Sequence, residues 1–182
     1  MSEEELLEIR DTHMKSLMQA TIETGNLQPH ITLFAKHLDK TKLEQNAIIS
    51  VMIPQEFGDS DTAKELFMKL LFPKIAKKIK KEFEVFATGW ASEAWLREGN
   101  LDEEAPEDYQ EIPIKKEVAI MTFETKDKFY YKGFDIKRDG KKVTEDGDII
   151  DQIELIPTAD LEQPWDEITV KGRFTNILRH FE

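Results

Sequence analysis

Apolar residues recur near the start of the chain as Leu6, Leu7, Met14, Leu17, Met18 and Ile22, three and four apart or multiples of that spacing. This periodicity lays them along one face of a helix over Ser2–Thr24. Ser2 followed by Glu5 forms a capping box, and Gly25-Asn26 supplies the stop. The period then changes. Pro29 opens a strand over His30–Ala35, with Ile31 and Leu33 on one face. Asn46–Ile53 reads NAIISVMI, a nearly unbroken apolar run that predicts a strand buried on both faces, and Pro54 ends it. The polar stretch KHLDKTKLEQ between them predicts a hairpin. Ser60–Phe83 returns to helical spacing through Leu66, Phe67, Leu70, Leu71, Ile75, Ile79 and Phe83, with Ser60 or Asp61 as cap. Pro73 interrupts it and predicts a kink or break.

Strand character resumes over Val85–Trp95, where Gly89 predicts a bulge. Strands follow over Lys116–Glu124 and Phe129–Lys137, with a turn at Thr125–Lys128. Arg138-Asp139-Gly140-Lys141 has tight-turn chemistry, since Asp-Gly accepts positive φ angles. A short strand at Lys142–Thr144, a turn at Asp146-Gly147-Asp148 and a last strand over Ile149–Ile156, closed by Pro157, complete a meander. Beyond Pro164, Ile168, Phe174, Ile177, Leu178 and Phe181 favour a helix over 166–182; Gly172 speaks for a hairpin instead. This order predicts an α+β fold: an antiparallel sheet built from an N-terminal hairpin and a C-terminal meander, packed by two or three helices. A single domain over 1–182 is expected, with no linker that would cut it, and with a flexible acidic loop over 98–112.

Charge sharpens this picture. The net charge is −12, and seven of the fourteen residues from Glu98 to Glu111 are acidic. A phosphate backbone repels such a chain, so nucleic acid is not the expected partner. One basic cluster stands apart: Lys69, Lys74, Lys77, Lys78, Lys80 and Lys81 fall within thirteen residues that hold no acid. Its two readings are the solvated face of an amphipathic helix, or a charge-docking surface at Lys74, Lys77, Lys78 and Lys81. The docked partner is then an acidic protein, or the acidic loop of this chain or of a second copy. The chain has no Cys, its N-terminus MSEEELLEIR is acidic, and its apolar runs are too short to span a bilayer. A cytoplasmic protein with no membrane association is expected.

Candidate chemistry is sparse. His13, His30, His37 and His180 show no compact metal-ligand spacing, although His30 and His37 could face each other across the first hairpin. Asp135–Asp146 has the length of a calcium loop, but Lys137 and Asp146 occupy positions that need an oxygen ligand and a bidentate Glu. Pro106-Glu107-Asp108 followed by Glu124-Thr125-Lys126 has the outline of a metal-dependent nuclease core without a basic channel. Ser92 and Glu93, adjacent on a strand, point to opposite faces. No cofactor and no metal site is expected, and no catalytic residue is assigned. Trp90, Glu93, Trp95 and Glu117 remain as contacts for a ligand or partner, with core packing of the tryptophans as the alternative.

Ser92-Glu93-Ala94-Trp95, then Pro106-Glu107-Asp108, then Lys116-Glu117-Val118 resemble a class of small uncharacterised phage and prophage proteins. These carry an E-A-W strand, a variable acidic loop and a basic-Glu-aliphatic start to the next strand. The resemblance covers about 85–124 and implies a viral or mobile-element origin, with no assigned reaction. The leading functional expectation is a non-enzymatic, acidic, protein-binding accessory protein of phage type, one form being a mimic of nucleic-acid charge. The alternatives are a metal-dependent hydrolase using Glu93, Glu117, Glu124 or His30, and a self-associating structural protein.

Overall fold

The computed structural model describes every residue except 1, 43, 55–56, 58–60, 98–113, 166–175 and 182; at 61, 95–97 and 114–115 only the backbone is described. The acidic loop expected over 98–112 lies outside the described residues.

The first helix, α1, spans Glu3–Thr24. Its capping box forms as its sequence dictates: the Glu5 N–H donates to Ser2 Oγ at 3.2 Å, and the Ser2 N–H donates to the Glu5 carboxylate at 2.6 Å. Gly25 closes the helix with a φ of 74°, and its N–H donates to the Thr21 carbonyl at 2.9 Å. Packing also requires glycine there, because a Cβ on residue 25 would lie 2.4 Å from the Asp151 carbonyl oxygen.

Six strands form one antiparallel sheet: β1 (His30–His37), β2 (Asn46–Met52), β3 (Phe83–Arg97), β4 (Ile114–Thr125), β5 (Lys128–Val143) and β6 (Ile149–Pro164). The order is β2-β1-β3-β4-β5-β6, a hairpin followed by a meander, so the α+β architecture holds. Four details depart from the sequence pattern. The apolar β2 is a terminal strand, not one buried on both faces; its residues alternate between exposed and half-buried, and Ile48 is 71% exposed. Asp139-Gly140 makes no hairpin turn: β5 runs straight through it, with Gly140 taking a φ of 75° inside the strand. Pro157 does not end β6, because a terminal strand has a row of N–H groups facing away from the sheet and tolerates losing one. The bulge in β3 is at Phe86 rather than Gly89: Phe34 pairs with Ala87 and Ala35 with Val85, while Gly89 stays in register opposite Thr32.

The chain divides into two compact units, one of Met1–Leu27, Ser92–Ile120 and Lys132–Asp160, the other of Gln28–Ala91, Met121–Tyr131 and Leu161–Glu182. In the first, Met14, Leu17 and Thr21 are the buried positions of α1. In the second, the core gathers Ile31 and Leu33 of β1, Trp90 of β3, Phe67, Met68 and Phe72 of the helical segment, and Ile177. That segment comprises α2 (Asp61–Leu66), a π-helical stretch (Phe67–Leu71) and α3 (Phe72–Ile79). Pro73 explains the change. It has no N–H to offer the preceding turn, and the Phe72 N–H instead reaches back to the Phe67 carbonyl, so a wider turn replaces the expected break. Phe34, Phe123 and Tyr130 pack in sequence as tilted ring pairs at centroid spacings of 5.3 and 6.1 Å. The helix or hairpin expected over 166–182 falls largely outside the described residues; Leu178–Phe181 form a short 3-10 turn with Leu178 buried. Among the described residues no helix is long and apolar enough to cross a membrane.

Candidate functional site

Two of the sequence candidates, Glu93 and Glu117, meet in the first unit around Arg138 of β5. The guanidinium Nε donates to Glu117 at 2.8 Å, Nη1 donates to the Gly25 carbonyl and to Asp151, both at 3.0 Å, and Nη2 donates to Glu93 at 3.1 Å. The other Glu93 oxygen accepts the Leu27 N–H at 2.6 Å. Lys141 stands 3.3 Å from Asp151, and Lys142 donates to the Ile22 carbonyl at 2.8 Å. The end of α1 holds no basic residue of its own, so Arg138 and Lys142 bring to its last carbonyls the positive charge that the helix dipole favours. Burial raises the Glu93 pKa; the Leu27 N–H and Arg138 oppose that rise, and Glu117 adds to it. Arg138 is held even more firmly in its charged form, chiefly by its hydrogen bond to Glu117. A cation therefore already fills the space between these carboxylates, and the arrangement is a clamp linking four strands to a helix end.

Glu124, in the second unit, departs furthest from ordinary carboxylate behaviour among the described residues. It is fully buried. One carboxylate oxygen accepts the Asn176 N–H at 2.7 Å; the other accepts the N–H groups of Ile177 at 2.7 Å and Leu178 at 3.3 Å, and the Thr88 hydroxyl at 3.2 Å. Asn176 takes a φ of 59°, which turns three consecutive N–H groups toward one point. Burial nevertheless outweighs these four donors and pushes the Glu124 pKa up to about 7. With both oxygens engaged, Glu124 pins the C-terminal turn to β4. Lys126, its partner in the nuclease outline, is exposed in the turn that follows.

Trp90 is 6% exposed and packs in the core of the second unit. The side chain of Trp95 lies outside the described residues. His30 bonds locally to the Gln28 carbonyl at 2.8 Å. Among the described residues no three His, Asp or Glu side chains converge as metal ligands would.

The lysine cluster has a different character. Phe72 and Ala76 of α3 are buried, and Ile75 and Ile79 pack on the core. Lys74, Lys77, Lys78 and Lys81 are all exposed and form no ion pair with a described residue, whereas Lys69 is tied to Glu65 one turn back. Directly before them Leu66, Leu70 and Leu71 are 47%, 57% and 36% exposed. Leu66 and Leu70 precede Lys74 and Lys77 along the helical segment, and Lys81 lies in the turn just after it. The result is a stripe with an apolar end and a basic end.

No protein-family model, curated protein or solved structure matches the chain.

The candidate site is therefore defined by geometry alone. Sequence reasoning found Glu93, Glu117 and the lysines. It missed Arg138, read as a turn residue, and Asp151. Their signal is opposite charges on successive strands, which becomes visible only once the register is known.

Proposed function

We propose that this protein is a protein-binding accessory protein of phage type that works in the cytoplasm, the host's if the chain is phage-encoded. It receives an acidic partner on the stripe from Leu66 to Lys81. The observation that carries this reading is the set of four exposed lysines without carboxylate partners among the described residues, in a chain whose net charge is −12. Several cations elsewhere are paired: Arg138 with three acids, Lys116 with Asp135, Lys128 with Glu162 and Lys132 with Asp160. Lysines with no carboxylate partner among the described residues, beside exposed leucines, present charge attraction and apolar area together, the combination that fits an acidic, partly apolar protein segment. The hydrolase alternative draws no comparable support, because Glu93, Glu117 and Glu124 are each engaged in holding the fold.

The test compares the wild-type chain with the K74E/K77E/K78E/K81E variant, each immobilised and exposed to host lysate. A specific partner should bind the wild type, weaken at least tenfold between about 0.05 and 0.5 M salt, and be lost on the variant. Capture of the same proteins by both, independent of salt, would remove the reading.

A further inference from the structure

The sheet has two terminal strands, and they are built differently. β6 carries Asp151, Glu154, Asp160 and Glu162, with Pro157 and Pro164. Charge and proline on an outer strand are the usual protection against pairing with another chain. β2 carries none of this. Its seven residues, NAIISVM, contain no charge, no proline and no glycine, in a chain whose charged content is 34%. They include two isoleucines and a valine, residues that favour strands. Among the described residues nothing pairs with its outer side. One face is anchored, since Ile49 and Val51 pack on the core. On the other face Ile48 is 71% and Met52 50% exposed.

We propose that β2 is a docking strand whose occupant is β2 of a second copy, paired antiparallel about a two-fold axis at Ile49. Strand symmetry supports this occupant. In that register Ile49 meets its own copy, Ala47 meets Val51, Ile48 meets Ser50 and Asn46 meets Met52. Every cross-strand pair is uncharged, so the strand meets itself without the like-charge opposition that β6 would suffer. The half-buried Ala47, Ile49 and Val51 of the two copies adjoin across the axis and continue one apolar face. Each unpaired backbone group of the edge gains a partner, and the sheet extends to twelve strands. This contact does not use the lysine stripe, and its salt response is opposite. Two chains of like net charge repel, so added salt strengthens the β2 contact, whereas it weakens a charge-driven one.

Sedimentation equilibrium of the full chain tests the proposal. The wild type, of 21.2 kDa per chain, should associate to twice that mass, more tightly as salt rises. I48K/S50K and I48E/S50E each set like charges against each other in the stated register. Each should be monomeric, with at least a tenfold weaker association. Mixing the two should restore a dimer, because Lys then faces Glu at both positions. Circular dichroism of each variant alone confirms that it folds, as both side chains are exposed. A wild type that stays monomeric to about millimolar concentration would overturn the proposal. So would a dimer that survives both double variants, or variants that fail to recover on mixing.

Discussion

Glu124 and the trio Glu93, Glu117 and Asp151 are both acidic sites drawn into the fold, and they are neutralised by opposite means. Among the described residues, Glu124 has no cation bonded to it. Three backbone N–H groups and a hydroxyl surround it, and burial still pushes its pKa up to about 7. The trio shares one guanidinium, which sits 30% exposed. Burial at the dry site favours the protonated form, whereas the wetter site is balanced by a counter-charge. Each joins distant segments: Glu124 connects β4 to the C-terminal turn, and Arg138 connects three other strands to the end of α1. In this chain, the most conspicuous carboxylates are architectural.

That contrast gives a graded set of expectations. The largest effect belongs to Glu124→Ala, which leaves three N–H groups without their acceptor and opens a cavity. Urea unfolding should show a loss of about 3–5 kcal/mol, with little dependence on salt. A loss below about 1 kcal/mol would mean that the C-terminal turn is not held by this carboxylate.

Arg138→Ala should cost less, about 2–3 kcal/mol, because its site is partly exposed and solvent screens the carboxylates left behind. Its deficit should shrink with added salt and at acid pH, where Glu93, already raised in pKa, takes up a proton and relieves the repulsion. A deficit indifferent to both would place the role of Arg138 in packing rather than charge.

Much of this fold is legible in the sequence, and the parts that are not share a cause. The capping box at Ser2 and Glu5, the stop at Gly25 and the disturbance before Pro73 are local features, set by residues a few positions apart. Position within the sheet is not local. NAIISVM reads as a central strand because composition reports apolarity, whereas edge or centre depends on which strands lie beside it. Pro157 reads as a stop for the same reason. Asp139-Gly140 suits a turn, but β5 continues because β4 and β6 flank it and its pairing outweighs the local preference. Glu93 and Glu117 stand out in the sequence only as acids near an aromatic strand. Their partner Arg138 lies 45 and 21 residues away, and only the register of β3, β4 and β5 brings the three together.

The pH dependence at Glu124 is the most direct measure of whether the buried carboxylates are architectural. In the unfolded chain Glu124 titrates near its ordinary value of 4.5, and in the fold near 7. A folded pKa raised above the unfolded one gives a contribution fully present below about pH 4.5, and lost as pH rises through about 7. His180, in the same C-terminal turn, is lowered mainly by burial and acts with opposite sign over part of this range. The difference between wild type and Glu124→Gln isolates the one group. Measured by urea unfolding from pH 5 to 8, the stability advantage of the wild type over Glu124→Gln should narrow by about 2–3 kcal/mol. A gap that stays constant, or widens as pH rises, would contradict the account: the N–H groups would then be holding Glu124 as a stable anion, and burial would not be the force that governs it.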